Sequence, residues 1–180
     1  MNKIGNNIKL WLITGRSGSG KTTLTKGISA IFDMPTLSYS DMLTELTHIK
    51  GYPSEGDFIF NTPFEEFSKM YDEYAINRIE AEVKAKNLIL IEGLCSSEGF
   101  LLLKNKYNDF LKTFFIDVPD DERMRRIGIR SGSVFQKKEQ YKEKYGIAKI
   151  KDMADYVVNG TKTESSLVEE IENIIRMHTL

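Results

Sequence analysis

A single cysteine, Cys95, excludes an intrachain disulfide and fits a reducing compartment. As a lone thiol it reads as a packing residue. The two histidines, His48 and His178, are far from it and from each other, so no zinc-site spacing exists. No apolar stretch approaches the ~20 residues of a membrane-spanning helix. Met1 to Lys9 is too polar for a signal-peptide core. A cytoplasmic location with no membrane partner is therefore expected. There is no repeat, no low-complexity segment and no dividing linker, so residues 1–180 read as one domain. At 41% hydrophobic and 28% charged, the composition is that of a globular chain.

Charge is nearly balanced overall but unevenly spread. Residues 31–100 carry 13 acidic and 5 basic side chains, whereas residues 101–151 carry 13 basic and 7 acidic. The second half suits a polyphosphate, and the first is poorly suited to a polyanionic partner.

Gly15-Arg16-Ser17-Gly18-Ser19-Gly20-Lys21-Thr22 has the spacing of a phosphate-binding loop. It follows the apolar run Leu10 to Ile13 and precedes a helical pattern from Thr23 to Phe32, the context the motif needs. Gly15, Ser17, Gly18, Ser19, Gly20 and Thr23 are small enough for backbone N–H groups to turn inward on phosphate oxygens. The helix N-terminus adds its positive end. Lys21 would reach the β- and γ-phosphates of ATP, and the Thr22 hydroxyl would ligate Mg²⁺.

Strand and helix patterns alternate, which indicates an α/β fold with a parallel sheet covered on both faces. The strand candidates are 8–14, 35–38, 87–92, 113–118 and 155–158. The helix candidates are 20–32, 40–50, 62–86, 97–108, 119–130, 134–145 and 163–177. Phe64, Phe67, Tyr71, Ala75, Ile79 and Val83 form a core-facing stripe on the long helix. Asp117 or Asp120 could cap the 119–130 helix, and Thr163 the last one. Gly51 to Pro63 lacks a regular pattern and reads as a connection or a flap over an acceptor site.

Three further places carry chemistry. Asp41 follows the second strand, at the carboxyl edge where ligands sit in such sheets. It could accept a proton from an attacking hydroxyl, hold a water on Mg²⁺, or share a helix cap with Ser40. Glu92 ends the third strand, where it could orient the metal's waters or contact the acceptor, and Gly93 permits close backbone approach. Arg123, Arg126 and Arg130 share one helix face. Arg126 and Arg130 are candidates to neutralise the transferring phosphoryl group, and Arg125 points to solvent.

Together these segments resemble the small P-loop nucleoside and nucleotide kinases over nearly the whole chain. Leu37 to Thr44 is similar to the S-T-G-D-M-L-R stretch of adenylate kinases. Glu92-Gly93-Leu94 resembles the end of strand three in archaeal-type cytidylate kinases and uridine kinases. Arg123 through Gly132 resembles the lid entry of the cytidylate group. Lys144 to Ile147 with Ala154 to Asn159 is similar to the tail of that group and of dephospho-coenzyme A kinases. The resemblance implies a five-stranded parallel sheet in the order 2-3-1-4-5, with helices on both faces. It also implies a helical acceptor-binding insertion at about 39–86, a lid at about 126–146, and ATP with Mg²⁺. The loop around Thr161 would border the adenine.

The family's monophosphate kinases hold the acceptor's phosphate with arginines. Here the matching positions are Thr44 and Leu94, Cys95, Ser96, which leaves Arg78 as the one replacement. A hydroxyl acceptor needs no such anchors but does need a base, and Asp41 fits that need. The reading is therefore an ATP-dependent kinase of a nucleoside- or nucleotide-like acceptor. The alternatives are a cytidylate- or deoxynucleotide-type monophosphate kinase and a kinase of a hydroxyl on DNA or RNA. Bulk charge disfavours nucleic acid, although Lys137 to Lys144 could track a strand. A GTPase switch would need N-K-x-D, and Asn105-Lys106-Tyr107-Asn108 fails at its last position. A monomer and a homodimer both fit.

Overall fold

The structure, a computed structural model, describes residues 8–128 and 133–179. Within them β1 (Lys9–Thr14), β2 (Thr36–Ser38), β3 (Leu88–Glu92), β4 (Leu111–Asp117) and β5 (Tyr156–Asn159) form one parallel sheet. Its order is β2-β3-β1-β4-β5, as the resemblance implies. The helices are α1 (Lys21–Phe32), α2 (Tyr39–Ile49), α3 (Glu55–Asn61), α4 (Phe64–Ala85), α5 (Ser97–Tyr107), α6 (Asp120–Ile127), α7 (Ser133–Lys144), α8 (Ile147–Met153) and α9 (Glu164–Thr179).

The central strands are buried on both sides, so their side chains sort by the two-residue period of a strand. Leu10 and Leu12 of β1, Ile89 and Ile91 of β3, and Leu111 and Phe115 of β4 enter one core with α2, α4 and α5. Trp11 and Ile13, Leu90, and Phe114 and Ile116 enter the other, against α1 and α9. Each covering helix answers at its own period: Phe67, Tyr71, Ala75 and Ile79 of α4 face the first core, and Leu167, Ile171 and Ile175 of α9 the second. Gly27 lets α1 and α9 approach closely, since a Cβ there would lie 3.0 Å from Val168 Cγ2.

Four expectations differ from the structure. The 51–63 stretch contains α3, capped by Ser54, whose Oγ accepts from Asp57 N at 3.1 Å. Burial of Phe58 and Ile59 fixes this helix of about two turns, and its flanking Pro53 and Pro63 masked it in the sequence. Residues 147–153 form α8, anchored by buried Ile147 and Ile150. Helix α6 ends at Ile127, earlier than expected. Neither aspartate caps it: Pro119 occupies the cap, Asp117 accepts from Lys151 at 2.7 Å, and Asp120 accepts from Arg123. Thr163 does serve α9, accepting from Ser166 N at 3.4 Å.

One carboxyl lies deep between α4 and α5. Asp72 is 4% exposed, and its Oδ2 accepts from Ser96 Oγ at 2.7 Å. Gly99 makes room for it, because a Cβ there would meet Asp72 Oδ1 at 2.6 Å. Burial pushes this carboxyl from 3.8 up to about 6, against the opposing hydrogen bond from Ser96. Its folded pKa exceeds its unfolded one, so its contribution is fully present below pH 3.8 and is lost as pH rises through 6. The loss is about 3 kcal/mol at most. Asp72→Asn, which does not ionise, should therefore gain stability relative to the wild type between pH 4 and pH 7 in urea unfolding. Parallel stability curves for the two proteins would contradict this.

Candidate active site

β1 delivers the phosphate loop at its carboxyl end. Gly15, Gly18 and Gly20 have φ of 150°, 78° and 90°, a region costly to other residues. A Cβ on Gly15 would lie 2.7 Å from the Ile116 carbonyl oxygen, and one on Gly18 2.8 Å from that of Arg123. The loop is thus pressed between β4 and α6. Arg123, 6% exposed, braces it: Nη1 donates to Ser17 O at 2.8 Å, while Nε and Nη2 donate to Asp120. Gly20 caps α1 with no side-chain hydrogen bond, which leaves the first-turn N–H groups to an anion.

Among the described residues the Lys21 ammonium makes one long hydrogen bond, to Arg16 O at 3.5 Å. Burial, aided by the nearby Lys142 ammonium, pushes it from 10.5 down to about 8. The Thr22 hydroxyl donates to Glu92 Oε1. Asp41 lies in the first turn of α2, its N–H on Ser38 Oγ at 3.3 Å; Ser38, not Ser40, is the cap. Asp41 shares an outer cleft with Thr22, Lys26, Ser38, Ser40 and Glu92. Among the described residues no three His, Cys, Asp or Glu side chains gather to hold a metal. One hydroxyl and two carboxylates on a cleft beside a phosphate loop do fit Mg²⁺, which takes few protein oxygens alongside waters and phosphates.

The main cavity, about 490 Å³, runs from the loop beneath α7. Its loop end has Lys21, Thr22, Glu92, Arg126 and Lys142. The rest of its lining is largely aromatic, with Tyr39, Phe67, Tyr71, Phe135, Tyr141 and Tyr145, and includes Glu55. Arg126 is held by Glu122 at 2.7 Å and stands at the boundary with a smaller cavity of about 220 Å³. That second cavity touches Ser19, Gly20, Thr23, Gly160 and Lys162. Thr161 itself is turned onto Asn159 Oδ1, with its N–H at 3.0 Å and its hydroxyl at 2.8 Å. Arg125 is exposed and paired with Glu122, as expected. Arg130 lies outside the described residues. Arg78 pairs with Glu45 at 3.3 Å on the outer side of α4 and is not among the cavity's lining residues, which overturns it as an acceptor anchor.

Sequence reasoning missed Lys142, Glu139 and Glu55. Lys142 and Glu139 sit in a polar run that reads as a solvated helix face, and only the docking of α7 on the loop separates them from their neighbours. Glu55 belongs to α3; the Ser54-x-x-Asp57 pattern was the available signal for that helix.

A family model described as AAA domain matches residues 14–143, and the chain belongs to that family. Its fold is that of the P-loop kinases. Shikimate kinase from Acinetobacter baumannii, in complex with shikimate, superposes with a TM-score of 0.66 at 17% identity, covering 96% of each chain. Shikimate kinase from Aquifex aeolicus gives 0.60 at 20% identity, over 94% of this chain and 97% of that one. An unliganded sugar kinase from Janibacter sp. gives 0.65 at 16% identity over 96% of each. No curated protein sequence matches the chain.

The Lys21 ammonium generates a test of the loop. Above pH 8 it is largely neutral in the free protein, whereas a bound polyphosphate favours the charged form. Binding a nucleotide at pH 9 should therefore take up a proton, and affinity should fall as pH rises through this window. Calorimetry with Mg-ADP in buffers of different ionisation enthalpy measures the uptake. Lys21→Met should abolish it, and identical enthalpies for the wild type in all buffers would refute it.

Proposed function

We propose that this P-loop kinase transfers the γ-phosphoryl group of Mg-ATP to a hydroxyl of a small, nucleoside-like acceptor that brings no phosphate into the cavity. The observation that carries this is the aromatic lining of the cavity beside its cationic loop end. Among its described lining residues the cations are Lys21, Arg126 and Lys142, and all three belong to the loop end. The rest of the lining offers rings, with Glu55 held by the Thr44 hydroxyl. A ring with hydroxyls finds stacking surfaces and hydrogen-bonding groups there. Two of the similar structures reported above are shikimate kinases and one is a sugar kinase.

The loop amides and Lys21 bind the polyphosphate, and Arg126 offsets charge on the transferring group. Thr22, with Asp41 through waters, would hold Mg²⁺, which neutralises phosphate charge. The acceptor oxygen forms a bond to the γ-phosphorus as the bond to the β–γ bridging oxygen breaks, and the hydroxyl proton passes to a carboxylate. Glu92 lines both the outer cleft and the main cavity, while Asp41 lines the cleft alone. We therefore assign the base to Glu92 and the metal's waters to Asp41, reversing the roles expected from the sequence.

ADP release measured across a panel of nucleosides and their 5′-monophosphates tests the acceptor class, and turnover of monophosphates alone would reject it. Glu92→Gln should lose about 10²–10⁴ in rate together with the acidic limb of the pH profile. Asp41→Asn should recover with added Mg²⁺. The opposite pattern, an unrescued Asp41→Asn beside a Glu92→Gln that keeps more than about a tenth of the rate, returns the base role to Asp41.

A further inference from the structure

Helix α7 is docked on the phosphate loop through side chains rather than through its backbone. Arg16 Nη2 meets Glu143 Oε2 at 3.0 Å. Ser17 Oγ donates to Glu139 Oε1 at 2.5 Å. Lys142 Nζ donates to Ser17 Oγ and, at 2.9 Å, to Glu139 Oε1. Arg123 Nη1 lies 3.6 Å from Glu139 Oε2. Glu139 thus gathers two cations and a hydroxyl beside the loop, and the Lys142 ammonium is brought to the wall that also holds Lys21, Glu92 and Arg126.

A latch between α7 and the loop does not require this lysine. Arg16–Glu143 and Ser17–Glu139 already tie the helix down, and Arg123 already fixes Ser17 from below. Lys142 instead adds a second ammonium close enough to Lys21 to help depress its pKa. Glu139 and Glu92 offset part of the repulsion between the two ammonium groups, and an anion bound between them would offset the rest. The group that arrives there is the terminal phosphoryl of the nucleotide, whose charge spreads over three oxygens as it transfers. Lys21 comes from the loop, Arg126 from α6 and Lys142 from α7, so the three cations reach that group from separate elements.

Resting on the kinase reading above, we propose that Lys142 is a further catalytic residue whose ammonium contacts the γ-phosphoryl group, with Glu139 as the positioning residue that holds it at Ser17. A nucleotide that lacks the γ-phosphate should not sense Lys142. Equilibrium binding of Mg-ADP and of the Mg complex of β,γ-imido-ATP to the full chain separates the two. In Lys142→Gln the affinity for the imido analogue should drop roughly ten- to hundredfold, the worth of one charge-assisted hydrogen bond, while Mg-ADP stays within about twofold. Lys142→Arg keeps the charge and should retain most of the preference for the analogue. Glu139→Gln should show a smaller loss with the same selectivity. Equal weakening of both nucleotides in Lys142→Gln, as a merely structural role predicts, would overturn the proposal, as would unchanged affinity for both. A wild-type protein that bound neither nucleotide would overturn the kinase reading itself.

Discussion

The backbone of the phosphate loop lies closer to its surroundings than any side chain would permit. Ile116 O and Arg123 O occupy the places where a Cβ on Gly15 and Gly18 would fall, and the Arg123 guanidinium closes the third side on Ser17 O. This close packing holds the loop before any ligand arrives, so little ordering is left for binding to do. It also sets the rest of the site. Lys21 and Thr22 start α1 because the loop ends at Gly20. Glu92 meets Thr22 because β3 is the neighbour of β1, in the register Ile13 to Glu92. α7 finds the loop because Arg16 and Ser17 project from it.

From that fixed loop the cavity takes its polarity. The cations come from the loop, α6 and α7, and the rings with Glu55 come chiefly from α2, α3 and α4 and from the end of α7. Cys95 lies on the same wall, and burial pushes its thiol up to about 11, so it stays protonated and inert at neutral pH.

The parts of the fold legible in the sequence were those governed by local rules. The apolar runs of β1, β3 and β4 and the loop motif each announce themselves within a dozen residues, and the six-residue stripe on α4 within twenty. The sheet order came from the resemblance, not from periodicity. What stayed hidden depends on contacts distant in sequence. Arg123 shares a helix face with Arg126, yet burial against the loop makes it a brace. Arg78 carried the right charge but α4 turns it to Glu45. Lys142 gains its place only when α7 meets a loop 125 residues away. Asp41 and Glu92 are both singled out in the sequence, but the cleft and the cavity they line could not be told apart from spacing alone.

The central claim is that phosphate leaves ATP for a hydroxyl on a compound that carried none. Following label from γ-labelled ATP into a defined mixture of nucleosides, polyols and monophosphates tests it most directly, with Lys21→Ala as the control. The account predicts label on an unphosphorylated compound as a new monoester, absent with the variant. Label confined to inorganic phosphate, or added only to molecules already phosphorylated, would contradict it.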